Sequence, residues 1–122
     1  MLDHLKIFVR DPAASRSFYA AALAPLGYAV MNEQEDGTVG MGVDFPHFWI
    51  APGDRTGFIH LAFRAAGTDV VDAFHAAAIA AGATDNGAPG PRPYHPEYYG
   101  AFVLDPDGNN VEVVNHGSIA PL

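Results

Sequence analysis

The chain has no cysteine, a single tryptophan and only 6 lysine or arginine residues among 122. Without cysteine there is no disulfide framework, no thiolate metal site and no cysteine nucleophile, and a reducing cytoplasm is the expected setting. Basic residues are outnumbered by 14 acidic ones, for a net charge of −8, which argues against a phosphate-backbone partner and hence against nucleic acid. The cations expected near a substrate anion are therefore few: Lys6, Arg64 and Arg92. Long apolar runs are missing too. None approaches the roughly 18 residues needed to cross a bilayer, and the N-terminus lacks a charged-then-apolar signal pattern, so no membrane partner is expected. Gly37, Gly40 and Gly42 lack the strand-then-helix setting of a phosphate loop, and Ser15, Ser17 and Ser118 lack a nucleophile elbow.

What the chain does have is a hydrophobic fraction of 49%, ample for one buried core, and an internal repeat. Asp3-His4-Leu5-Lys6-Ile7-Phe8-Val9 opens one copy and Ile59-His60-Leu61-Ala62-Phe63 opens the other. A shift of 56 positions pairs His4 with His60, Leu5 with Leu61, Phe18 with Phe74 and Leu23 with Ile79. Each copy reads as strand, helix, then three strands. Asp11-Pro12 is a helix start, with Asp11 as N-cap, and Pro25 and Gly27 end that helix. Strands are expected over 28–31, 38–43 and 47–51. In the second copy they are expected over 58–63, 98–104 and 110–114, with a helix over 70–81 closed by Gly82. The segment 86–96 carries Gly87, Pro89, Gly90, Pro91, Pro93 and Pro96, too many breakers for a regular element of any length, and Asp105-Pro106-Asp107-Gly108 is a turn. The fold class expected is α+β: two βαβββ modules (1–52 and 58–116, linker 53–57, tail 117–122) forming a curved mixed sheet around a concave cavity.

Strand parity then sorts the faces. Leu5, Ile7 and Val9 belong under the helix, which turns His4, Lys6 and Phe8 to the concave side. Leu61 and Phe63 leave His60, Ala62 and Arg64 on that side, and Val111 and Val113 leave Glu112 there. A carboxylate inside an apolar strand costs several kcal/mol to bury unpaired, so it demands a partner. Two imidazoles and a carboxylate with open positions suit one divalent metal ion, Zn, Ni, Mn or Fe. His95, on a loop, is a substrate contact, an acid/base group or a solvated histidine, and Tyr94, Tyr98 and Tyr99 divide between contact and packing. Trp49 is an apolar wall, with His47 on its face, and Lys6 either holds a substrate anion or lies in water. His75 and His116 are expected at the surface.

In these residues the chain resembles the vicinal oxygen chelate superfamily, which includes glyoxalase I, extradiol dioxygenases, fosfomycin-resistance transferases and bleomycin-binding proteins. The carriers are Asp3-His4-Leu5, Ser17-Phe18-Tyr19, Ile59-His60-Leu61-Ala62-Phe63 and the closing run from Phe102 through Asp105-Pro106-Asp107-Gly108 to Glu112. Family ligands sit on the first, fourth, fifth and eighth strands. The resemblance implies His4, His60 and Glu112 as metal ligands, whereas Trp49 stands where glyoxalase I-like members carry a second carboxylate. The basic residues expected after the glutamate of a fosfomycin enzyme are missing, since 113–122 contains no Lys or Arg. It further implies a lyase, isomerase, transferase or dioxygenase that binds a small substrate through vicinal oxygens, with the metal as Lewis acid. His95 and Tyr99 would be the proton-transfer candidates and Lys6, Trp49, His47, Tyr98, Phe8 and Phe102 the substrate contacts. A homodimer is implied as well. The alternative is a metal-free, drug-sequestering binding protein of the bleomycin-resistance kind.

Overall fold

The structure, a computed structural model, describes residues 2–55 and 57–119. Thr56 of the expected linker and residues 120–122 of the expected tail lie outside the described residues. Chain order is β1 (Leu5–Val9), α1 (Pro12–Ala22), β2 (Ala29–Glu33), β3 (Val39–Gly42), β4 (Phe48–Pro52), β5 (His60–Arg64), α2 (Thr68–Ala80), β6 (Thr84–Pro91), β7 (Tyr99–Leu104) and β8 (Asn110–Asn115). These are two βαβββ modules, as the repeat implies. Among the described residues their strands form two separate sheets, ordered β1-β4-β3-β2 and β5-β8-β7-β6.

Local chemistry accounts for the boundaries. The Asp11 side chain accepts from the Ala14 N–H at 3.1 Å and Pro12 occupies the first turn, so α1 starts where an N-cap and a preset φ coincide. After α1 a short 3₁₀ turn, Ala24–Leu26, runs into Gly27 at φ 85°, a left-handed position that glycine tolerates best. The segment expected to hold no regular element is in fact mostly strand. Residues 84–91 form β6 against β7, with register irregularities between Asp85 and Gly87 and between Gly87 and Gly90. Its prolines are tolerated because β6 is an edge strand, where a missing N–H costs no ladder bond on the open side.

The helix sides of both sheets share one core. Ile7, Val9, Phe48 and Ile50 from the first module join Phe74, Val103, Val111 and Val113 from the second, all buried. Phe48 and Phe63 meet edge to face at 5.5 Å across the modules. A polar tie fastens the same seam. The buried Tyr19 hydroxyl on α1 donates to Asp105, which also accepts from the N–H groups of Asp107 and Asn109 and from the Asn109 amide. Arg10 adds a 3.1 Å bond to Asp107 of the same turn. With the helices and core between the sheets, the opposite face of each sheet is turned outward. Lys6 and Phe8 on one, and His60 and Ala62 on the other, are exposed. The edges β1 and β5 each have a strand partner on one side only.

Candidate functional site

Sheet register builds the site residue by residue. Ala62 lies opposite Glu112 in the parallel β5–β8 ladder, and Phe102 lies opposite Glu112 in the antiparallel β7–β8 ladder. Glu112 is thus central on the outward face of the second sheet, yet only 3% exposed. Two side chains cover it. His60 Nε2 donates to Oε1 at 2.9 Å, and the Tyr98 hydroxyl donates to Oε2. Gly100 is the floor beneath this arrangement, since a Cβ there would stand 3.3 Å from both Glu112 Oε2 and the Tyr98 ring. Burial, then the bond to Glu112, pushes the Tyr98 phenol well above its usual range, so at neutral pH it donates and does not serve as a base.

His4 lies elsewhere. It precedes β1 on the other sheet, and its Nδ1 bonds the Asp3 carboxylate at 2.7 Å. Donation from Nδ1 leaves Nε2 as the lone-pair nitrogen, the tautomer that carboxylate-backed metal histidines adopt. Around it, Asp3, His4, Lys6, Gln34, Pro46 and Trp49 line a cleft of about 340 Å³. Trp49 lies over Gly40 and is anchored by its Nε1–H to the Pro46 carbonyl at 3.1 Å. Among the described residues of one chain, no three His, Cys, Asp or Glu side chains converge as metal ligands. The chain brings His60 and Glu112 together and keeps His4 apart from them.

Other expected site residues divide sharply. Phe102 lies beside the Glu112 centre, its ring stacked on His60 at 6.1 Å. Phe8 and Lys6 face outward on the first sheet. His47 turns away from the Trp49 face. It meets the Tyr28 hydroxyl and lines a separate 220 Å³ seam pocket with Leu5, Phe63 and Arg64, because it precedes β4 and escapes that strand's alternation. Tyr99 faces the helix side, where its hydroxyl donates to Asp72 of α2 at 2.7 Å. Parity decides this: Tyr99, Ala101 and Val103 share the core side of β7. His95 is committed as well. Its Nδ1 accepts from the Glu97 N–H at 3.1 Å, so the proton sits on Nε2, which donates to His116 Nδ1 at 2.8 Å. Neither ring nitrogen is left for a substrate proton. His116 is therefore half-buried and partnered rather than a surface residue. His75, expected in solvent, bonds Asp85 at 3.0 Å with its side chain 16% exposed. The bond from Tyr98 to Glu112 and the partner of His116 had no sequence signal, because the loop between β6 and β7 sets both.

The family model for the Glyoxalase/Bleomycin resistance protein/Dioxygenase superfamily matches residues 1–113. Among solved structures, a glyoxalase/bleomycin resistance protein from Albidiferax ferrireducens T118 is similar at 28% identity and TM-score 0.79, covering 94% of this chain and 98% of that one. A glyoxalase/bleomycin resistance protein/dioxygenase family enzyme from Burkholderia phytofirmans PsJN is similar at 25% identity and TM-score 0.76, covering 95% and 98%. TioX from Micromonospora sp. ML1, at 13% identity and TM-score 0.73 over 96% and 99%, shares the fold. Comparison with the curated proteins gave no match.

Proposed function

The chain belongs to the glyoxalase/bleomycin resistance protein/dioxygenase superfamily, and on that premise we propose a homodimeric enzyme dependent on one divalent metal ion. His60 and Glu112 of one protomer and the partner's His4 would hold the ion. The observation that carries this reading is Glu112 itself. It is a buried carboxylate bonded by an imidazole and a phenol, with no Lys or Arg within 4.0 Å among the described residues. The donor set fits a borderline divalent ion: two imidazole nitrogens and one carboxylate oxygen. A second copy supplies what one chain lacks. The outward faces and the β1 and β5 edges are open, and His4 and His60 stand at repeat-equivalent starts of those edges. A two-fold pairing of β1 with the partner's β5 joins the two edges and brings the ligands into one cleft.

When bound, the ion supplies a Lewis acid toward a small substrate that chelates through two neighbouring oxygens. The protein's residues do the remaining work. Tyr98 holds Oε2 of Glu112, so the Glu112 carboxylate and the His60 imidazole beside it are the groups that would hold the ion. Asp3 holds the His4 ring in the Nε2 lone-pair tautomer. Trp49 supplies an apolar wall that excludes water from one side of the cleft. With His95 and Tyr99 committed elsewhere, neither carries the proton transfer.

A metal-free binding protein is the second reading. The direct His60–Glu112 bond, which satisfies both groups without an ion, favours it. Mixing protomers separates the two. His4→Ala and Glu112→Ala homodimers should each lose metal retention and the thermal upshift by added Zn(II), Ni(II) or Mn(II). Co-refolded mixed dimers should regain one intact site per dimer, read by elemental analysis. Wild-type protein that neither retains nor responds to any of these ions sinks the metalloenzyme. Retention that survives both substitutions sinks the ligand set.

A further inference from the structure

Arg92 stands out in a chain so poor in positive charge. Arg10 pairs with Asp107 and Arg16 with Glu33; Lys6, Arg55, Arg64 and Arg92 have no carboxylate within 4.0 Å among the described residues, and of these Arg92 is the one beside Phe102 and the Glu112 centre. Backbone carbonyls hold it instead. Nη1 donates to Gly90 O at 3.0 Å and to Pro91 O at 3.1 Å, and Nη2 donates to Ala88 O at 2.8 Å. A guanidinium has five N–H groups, so three bonds leave Nε–H and one Nη2–H to offer. The group lies over the Phe102 ring at 5.3 Å, and that ring stacks on His60 at 6.1 Å. Gly87 makes the room. A Cβ there would come within 3.0 Å of Phe102 and 3.1 Å of Arg92 Nη2. Arginine, phenylalanine and the imidazole of the proposed centre therefore form one layered surface across the second sheet. The cation is braced by carbonyls and an aromatic face, and no carboxylate among the described residues neutralises it.

We propose that Arg92, seated on Phe102, is the anion subsite of this cleft and selects substrates that carry an oxyanion, such as a carboxylate, a few bonds away from their chelating oxygens. The inference rests on the metal-centred reading for the chelating end alone; the anion end stands on Arg92, Phe102 and Gly87. Phe102 lies between the guanidinium and His60, so the oxyanion is separate from the chelating pair and the intervening carbons rest on the ring. Charge-assisted bonds from a pre-oriented fork supply the selectivity, and the carbonyl bracing means little side-chain entropy is lost on binding.

The test uses two 2-oxo acids with the same vicinal oxygens: 2-oxoglutarate, which has a distal carboxylate, and 2-oxobutyrate, which does not. Dissociation constants are read by NMR titration of the metal-loaded dimer. Wild type should bind 2-oxoglutarate about tenfold tighter or better. Arg92→Gln should erase that preference while leaving 2-oxobutyrate affinity and metal content unchanged, whereas a bracing role alone would weaken both acids equally. Equal affinities in wild type, or a preference that survives in Arg92→Gln, overturn the subsite. If the protein takes up no metal, the same comparison is made with glutarate against butyrate on the metal-free protein. An Arg92-dependent preference then keeps the anion subsite and rejects the metal centre, and its absence rejects both.

Discussion

The middle rows of the two sheets show how a duplicated unit becomes an asymmetric site. In the first module Lys6, Trp49, Gly40 and Asn32 lie side by side across β1, β4, β3 and β2. In the second, Ala62, Glu112, Phe102 and Gly87 occupy the matching places across β5, β8, β7 and β6. Large and small residues have traded positions. Trp49 faces Gly40, and its ring fills the space that a β3 side chain would take. Glu112 faces Phe102, and Gly87 yields the space beyond it. The backbone repeat is kept because each row fills its volume, while only one row carries a carboxylate. The repeat places a histidine at the start of each copy; the difference between the rows puts a central carboxylate on one sheet alone.

The sharpest way to break this comparison is to remove the one acidic group. Glu112→Ala should abolish metal retention and its thermal upshift, whereas Trp49→Ala should leave both in place. Retention by neither variant would place Trp49 in the ligand set's support. Gly40→Ala comes next. Its Cβ would stand 2.8 Å from the Trp49 ring and 2.9 Å from Pro46, so overpacking should cost about 1–3 kcal/mol in denaturant unfolding. Emission from Trp49, the only tryptophan, should shift as the ring is displaced.

The seam between modules gives the third prediction. Tyr19→Phe removes one of the donors to buried Asp105 and should cost about 1–2 kcal/mol. Burial, then the Asp105 charge, raises the Tyr19 phenol well above its ordinary value. A raised folded-state value means that the native state holds this proton more tightly than the unfolded chain. Its stabilisation is whole below the unfolded value of about 10 and is lost as pH rises beyond it. Denaturant midpoints of wild type should therefore fall more steeply above that pH than those of Tyr19→Phe. Parallel curves would show that the phenol does not set the alkaline limit. The smallest effect is expected at His75→Ala, where solvent screens the bond to exposed Asp85 and its loss should move the thermal midpoint less than any of the other substitutions.

Much of the fold was legible because its signals are local. Asp11-Pro12 and the Asp105–Gly108 turn mark boundaries that the structure keeps, whereas α1 stops at Ala22 and Gly27 closes the 3₁₀ turn after it. Alternation in β1, β5 and β8 separated core side chains from outward ones, but the one surface it gave His4, His60 and Glu112 is divided between two sheets. β6 was not legible. Its glycines and prolines read as breakers, and only its edge position and irregular pairing with β7 make a strand of them. Residues just outside strands failed for a related reason. His47, His95 and His116 escape alternation, so their partners are set by loop paths that no period describes.

By itself, the sequence determined the repeat, the two histidines that open its copies and the single glutamate that breaks its symmetry, since spacing and parity are properties of a chain. Only the tertiary structure decided which of those residues meet. Packing both helix faces into one core leaves the opposite face of each sheet outside that core. That joins His60 to Glu112, leaves His4 on a separate surface, and presents Arg92, with no carboxylate partner among the described residues, over Phe102. The reason is physical: apolar burial is non-directional and sets the arrangement of the modules, and the polar groups take whatever partners that arrangement brings within reach.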